Sequence, residues 1–419
     1  MNTSTRIRRG AGCAALAAAV SLMAPAAQAT EGYFALGHSP AQRAQSGAGV
    51  ANGSEPMSAT INPAGVAELG HQMQLGAEFF MPDRGYEGTA TGFVPSGVVT
   101  SAKPLFLVPS FAYNLPLQNG AVFNLAVYGN GGMNSTYRDP LGGCGSVFCG
   151  GPAGVDLIQL FASATYAQKF GNVSVGIAPT FAFQGFKADG LGAFAGISTD
   201  PTALTGNGYD YSVGAGLRGG IQVDVTDSIR VGVAGQSKMY MTEFDSYSGL
   251  FENGGDFDIP ASVSAGIAVD LTPSLTVMAD WRRIFYSDVG AIGNATTAGA
   301  LGAPGGAGFG WDDVDAVKFA VEWRQSDVMT WRAGYAQNSN PIGPEDVTFN
   351  ILAPAVVEKH ISFGGSRRIN DTDAFDFSIT YSPEVSVSGP EMTPLGPTGG
   401  TVAPYMSQIS ASIGFTKTF

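Results

Sequence analysis

The stretch Tyr405-Met406-Ser407-Gln408-Ile409-Ser410-Ala411-Ser412-Ile413-Gly414-Phe415-Thr416-Lys417-Thr418-Phe419 places Ile409, Ala411, Ile413, Phe415 and Phe419 on one side of an extended chain. Ser410, Ser412, Gly414, Thr416 and Thr418 fall on the other. Lys417 interrupts the apolar side near its end. The pattern fits the closing strand of an outer-membrane β-barrel, in which lipid-facing and lumen-facing residues alternate and aromatics belong at the bilayer interface. It also fits the last strand of a soluble β-sandwich, so the choice rests on the rest of the chain.

At the other end, Arg6, Arg8 and Arg9 precede an apolar run from Ala14 to Met23, and Ala27-Gln28-Ala29 is a small-x-small cleavage site. Residues 1–29 therefore read as a secretory signal peptide. Cys13 stands before the apolar run, which argues against a lipoprotein cleavage site. Loss of the three arginines takes the formal charge from −13 to −16. So acidic a chain lacks the basic face that nucleic acid requires. Beyond the signal peptide no stretch approaches the roughly 18–20 apolar residues of a spanning helix, so a membrane role must come from strands.

The composition agrees: 59 Gly, 26 Phe and 14 Tyr with only 13% charged residues, as half-apolar strands would give. Cys144 and Cys149 form a C-x4-C pair in a Gly-rich loop of an exported chain, most simply a disulfide that staples the loop. A metal site would need further ligands, and His38, His71 and His360 are the only histidines.

Period-2 segments recur from about residue 71 onward. Met73, Leu75, Ala77, Phe79 and Met81 alternate with Gln72, Gln74, Gly76 and Glu78, and Val317, Phe319, Val321 and Trp323 repeat the pattern. About fourteen strands are predicted, near 72–82, 104–114, 120–129, 155–168, 171–186, 208–223, 228–239, 260–271, 274–286, 314–325, 328–338, 357–369, 372–384 and 404–419. Short turns at Asn172, Asp227, Pro273, Asp327 and Asp371 fall at every second connection, with long Gly-rich loops between. Segregating short turns to one rim has a reason in a barrel inserted from the periplasm and none in a soluble sandwich. The expected fold is thus all-β: an antiparallel transmembrane barrel over residues 71–419. Residues 30–70 do not alternate and are too few for a large plug domain, which places them as a short hatch inside the barrel.

The blocks Glu31-Gly32-Tyr33-Phe34-Ala35-Leu36-Gly37, Gly47-Ala48-Gly49-Val50-Ala51, Asn62-Pro63-Ala64-Gly65 and Gly76-Ala77-Glu78-Phe79-Phe80 resemble the hatch and first strand of the FadL/TodX family. Later blocks agree in order, among them Tyr128-Gly129-Asn130-Gly131-Gly132-Met133-Asn134, Asp258-Ile259-Pro260-Ala261-Ser262 and Phe349-Asn350-Ile351-Leu352-Ala353-Pro354. The resemblance covers essentially the whole mature chain. It implies a fourteen-stranded barrel of the Gram-negative outer membrane, plugged by a hatch and surrounded by outer-membrane lipid. It implies passive uptake of long-chain fatty acids, alkanes or aromatics with no cofactor and no catalysis. In that family the ligand is caught by apolar extracellular loops, enters the lumen and leaves sideways through a gap made by a kinked third strand while the hatch rearranges.

Each step has counterparts here. Phe34, Leu36, Asn62, Pro63, Ala64 and Gly65 fall in the hatch, where Pro63 and the turn-forming Asn62 make a stiff corner. Gly129, Asn130, Gly131 and Gly132 favour a bulge that opens the wall, or simply end the strand. Leu191, Phe194 and Ile197 in one loop, and Ile292, Leu301, Phe309 and Trp311 in another, form a capture surface or pack on one another. Alternation turns Arg282, Lys318, Arg324 and Arg332 inward together with Asp280 and Glu322, so the cations pair across the lumen or meet a ligand carboxylate. A closed barrel has no free edge that demands a partner, which fits a monomer.

Two rivals remain. A barrel hydrolase needs a nucleophile with an oriented base, and no Gly-x-Ser-x-Gly elbow occurs; His360 and Ser362 share one strand face. A general porin predicts an unplugged, steadily conducting lumen. Gly214-Ala215-Gly216-Leu217-Arg218-Gly219 matches a dinucleotide fingerprint but lies in a strand with no helix after it, and is read as coincidence.

Overall fold

The computed structural model describes residues 31–138 and 146–419. The predicted signal peptide and Cys144, one half of the predicted disulfide, lie outside the described residues; Cys149 ends a short 3-10 turn, Val147–Cys149. Seventeen strands form one antiparallel sheet. In chain order they are β1 (Gln72–Thr89), β2 (Gly97–Thr100), β3 (Phe106–Pro116), β4 (Ala121–Asn134), β5 (Gly154–Phe170), β6 (Val173–Asp189), β7 (Asp210–Thr226), β8 (Ile229–Gln236) and β9 (Tyr240–Met241). They continue with β10 (Ser262–Thr272), β11 (Leu275–Ile284), β12 (Val314–Arg324), β13 (Met329–Asn338), β14 (Lys359–Arg368), β15 (Asp373–Ser386), β16 (Gly389–Thr393) and β17 (Gly396–Thr418).

Fourteen of them close the barrel, and β2, β9 and β16 are short additions in the long loops. Closure comes from β1, which pairs with β17 from Gln72↔Thr418 to Thr89↔Thr401 and with β3 from Gln72↔Asn114 to Phe80↔Phe106. All fourteen predicted segments are barrel strands. The largest differences in length are at β1, which runs on to Thr89, and β17, which begins at Gly396. These two pair with each other beyond the end of the ladder between β1 and β3, so each satisfies the other's backbone.

The alternation is physical. On β17, Ile409 and Ile413 are exposed while Ser410 and Ser412 are buried, and on β12 Phe319 and Trp323 are exposed while Lys318 and Glu322 are buried. A row of exposed large apolar side chains with polar ones inside is the reverse of a soluble protein and is what lipid contact selects. No helix among the described residues is long and apolar enough to cross a membrane. At the short-turn rim, Phe419 packs on His71 at 4.5 Å between ring centres and donates its backbone N–H to the His71 carbonyl, fastening the end of β17 beside the start of β1.

Residues 31–70 lie inside this wall, almost entirely buried. They carry a short helix, Pro40–Ala44, capped by Ser39, and two 3-10 turns, Pro56–Thr60 and Pro63–Val66, the second capped by Asn62. The Asn62-Pro63 corner sits directly on the wall because Gly176 of β6 and Gly220 of β7 present no side chain there: a Cβ on either would run into Pro63 or Asn62.

Candidate functional site

Polar groups of the wall hold the inner segment. Asp280 accepts from the backbone N–H groups of Gly49 (2.6 Å) and Val50 (2.9 Å), Asn124 donates to the Pro56 carbonyl at 2.9 Å, and Gln74 accepts from the Met57 N–H at 3.1 Å. Arg43 makes a 2.5 Å ion pair with Glu78 of β1, both buried. Glu55 accepts from Ser39 and from Gln74 (2.5 Å). Burial, seconded by Asp376, pushes its carboxyl up to about 7.

The predicted lumen cations divide. Lys318 lies 2.6 Å and Arg282 2.9 Å from the two carboxylate oxygens of Glu31, which is fully buried. Burial opposes the charge on Glu31, but Lys318 and then Arg282 outweigh it and hold the carboxyl below its usual range. Arg332 pairs with Glu322 at 2.8 Å. Arg324 is exposed at the end of β12, 3.5 Å from Thr276, at the short-turn mouth rather than in the lumen. Arg218, inside the Gly-rich run dismissed as a false fingerprint, is a lumen cation that the sequence reading passed over. It donates to the Tyr128 hydroxyl and the Thr60 carbonyl, and no carboxylate among the described residues lies within ion-pair distance of it. Its position in the alternation of β7 was the available signal.

A small pocket collects these groups: Leu36, Val50 and Ile61 supply apolar lining, and Arg218, Arg282, Lys318 and Asp280 the charged part. It combines greasy walls with one cation, Arg218, that makes no ion pair among the described residues.

The wall itself is interrupted. Between β3 and β4 the last pair toward the long loops is Ser110↔Tyr128. Phe106–Pro109 of β3 continue to pair with β1, and residues 129–134 of β4 continue with β5, but among the described residues these two stretches do not pair with each other. Two causes are legible. Pro109 has no N–H to give a neighbour, and β4 carries a bulge between Gly129 and Gly131 in its register with β5. The freed face of β4 pairs instead with the inner segment: Ala35 N–H donates to the Asn130 carbonyl (2.8 Å), Gly132 N–H donates to the Tyr33 carbonyl (3.1 Å), and Phe34 bridges Gly131. Gly131 is required there, because a Cβ would meet the Tyr33 carbonyl. Beyond the gap, Arg84 of β1 spans to β4 and donates to the Asn134 carbonyl (2.6 Å) and side chain (2.5 Å). A second, smaller pocket lies in the gap, lined by Pro40, Val108, Pro109 and Gly129 among others.

The chain matches the family model described as outer membrane protein transport protein (OMPP1/FadL/TodX) over residues 16–393. The chain belongs to the FadL/TodX family. Among solved structures, this family member resembles the Pseudomonas putida toluene transporter TodX, with 17% identity and a TM-score of 0.67 over 93% of this chain and 100% of the other. It also resembles a Pseudomonas aeruginosa FadL homologue, with 17% identity and a TM-score of 0.69 over 93% and 100%. The Ralstonia pickettii toluene transporter TbuX gives 18% identity and a TM-score of 0.64 over 92% and 99%. At such identities these likenesses speak for the fold alone. No curated protein sequence is similar enough to count as a match. Family and fold together make this an outer-membrane barrel of the hydrophobic-compound transporter type.

In this FadL/TodX protein the loop residues pack inward. Leu191, Ile292, Phe309 and Trp311 are buried, and Trp311 reaches the inner segment, 6.0 Å from the Tyr33 ring and 5.3 Å from Tyr286. Phe194, Ile197 and Leu301 line a third pocket with Phe349 and Met392. His360 of β14 is fully buried, 2.7 Å from the Ser382 hydroxyl and 3.1 Å from the Asn338 side-chain oxygen, and Ser382 also accepts from Gln408 at 3.2 Å. Ser382 is itself fully buried.

Proposed function

We propose that the protein takes up hydrophobic small molecules passively across the outer membrane, as a monomer among outer-membrane lipids. The ligand enters the loop cavity of Phe194, Ile197, Leu301, Phe349 and Met392, where apolar side chains desolvate it. It passes to the lumen cavity and leaves sideways between β3 and β4. Residues 30–70 act as a hatch whose first turn, around Phe34 and Leu36, occupies the route, while the Asn62-Pro63-Ala64-Gly65 corner anchors the rest. The observation that carries this reading is the stretch of wall at Gly129–Gly132 that pairs with β5 on one side but, among the described residues, meets the hatch instead of β3 on the other. A backbone left unpaired toward lipid costs several kcal/mol per group, so a gap lined by other protein groups is an arrangement with a use.

On ligand class, Arg218 supports a carboxylate-bearing amphiphile such as a long-chain fatty acid, since a buried cation without a counter-charge gains from an anion. The neutralised Glu31 site favours the alternative of an uncharged alkane or aromatic, the kind of compound named for the toluene transporters TodX and TbuX. The test is accumulation of labelled palmitate, hexadecane and toluene in an uptake-deficient host expressing the intact chain or one lacking residues 30–70. Hatch-dependent uptake of one class establishes the transporter and its ligand type. Steady large conductance of the intact protein in planar bilayers would favour a general porin instead.

A further inference from the structure

The lumen pocket and the pocket in the wall gap have one lining residue in common, His38. On the lumen side it stands beside Leu36, Thr60 and Arg218; on the wall side it stands beside Pro109 and Gly129. The ring is tilted against Tyr128 with 4.4 Å between centres. Nδ1 lies 3.2 Å from the Gly129 carbonyl oxygen, which only accepts, so Nδ1 carries the proton. If the ladder between β3 and β4 ran on, Pro109 would stand opposite Gly129; having no N–H, it leaves that carbonyl to His38.

The partition is lightly held. Arg43, next to it, is tied to β1 by a buried ion pair, and the His38 backbone N–H donates to Gln42 at 2.8 Å, so the main chain is fixed. The imidazole has one hydrogen bond and one ring contact among the described residues, both made by the side chain and neither by the main chain.

We propose that His38 is the gate between the lumen and the lateral opening. With the ring on Tyr128 the two cavities are closed to each other; with the ring swung away they form one passage, and the bulk of residue 38 sets how fast and how wide a molecule passes. This rests on the lateral-exit reading and gives it a specific moving part.

The test uses the full chain in the outer membrane, with heat-modifiable migration as proof of a folded barrel, and initial uptake rates of labelled palmitate, hexadecane and toluene. His38→Ala is expected to raise the rate roughly twofold for whichever probe is transported, as for a step limited by gating. His38→Trp is expected to reduce it to that of cells without the protein. Gly129→Phe tests the route independently: its side chain starts against Val108, across the gap, and should block exit whatever His38 does. Loss of uptake in Gly129→Phe with unchanged rates in both His38 variants would overturn the gate and keep the lateral route. Loss of uptake in a folded His38→Ala would also overturn it, leaving His38 as a support. Undiminished uptake in Gly129→Phe would remove the lateral route and the gate with it.

Discussion

Lys318 of β12 reaches 2.6 Å to the carboxylate of Glu31, at the start of the inner segment, and both side chains are sealed from solvent. Arg282 holds the other oxygen of the same carboxylate. The first turn of the hatch is thereby fixed to β11 and β12 while its backbone pairs with β4, so one acidic residue ties the far wall to the gap.

Glu31→Gln should release that turn. Removing the carboxylate charge that Lys318 and Arg282 share costs about 3–5 kcal/mol, enough to unseat a short segment though not a barrel. Limited proteolysis of the intact outer-membrane protein should cut near Tyr33 in the variant only, and the freed cations should raise uptake of a carboxylate ligand relative to an uncharged one.

Gly220→Val should dislodge the Asn62-Pro63 corner, because the new Cβ meets the Asn62 side chain. Overpacking of this kind costs about 1–3 kcal/mol. The expected outcome is a folded barrel with raised ion conductance in planar bilayers; unchanged conductance would show that the corner does not seal the lumen.

Hatch docking should weaken as the pH rises from about 4.5 to about 7. The Glu55 carboxyl, ordinarily near 4.5, sits at about 7 when buried against Ser39 and Gln74. The docked state therefore keeps the proton that the undocked state loses in this window, its advantage is complete below 4.5, and it is lost through 7. Hydrogen exchange of residues 55–60 at several pH values checks this, and Glu55→Gln should flatten the dependence.

Arg84→Met should lengthen the gap upward by removing the clamp to Asn134. Relative uptake of a bulky ring compound against a slender chain should rise, whereas an unchanged ratio would mean that the opening is bounded elsewhere.

Phe194→Ala combined with Phe349→Ala should empty much of the loop cavity, where the two rings meet at 5.6 Å. Uptake at low ligand concentration should fall, with the maximal rate nearly kept, as expected for a capture step that precedes transit.

The barrel was legible in the sequence because its cause is local. Ile409, Ser410, Ala411 and Ser412 meet lipid and lumen in turn, a period of two that no long-range contact has to supply, and the short turns at Asn172, Asp227, Pro273, Asp327 and Asp371 punctuate it. The inward faces of Lys318, Arg332 and Glu322 followed from the same alternation, and the glycines at 129, 131 and 132 marked where β4 could bend. The tertiary structure decided what those groups do. Glu31 neutralises Lys318 and Arg282 across about 250–290 residues of chain, Arg218 makes no ion pair among the described residues, and His38 lines two pockets, all because closing the barrel brings remote strands onto the hatch. Loop residues such as Trp311 are buried rather than displayed for the same reason, since irregular segments have no period to announce which way they face.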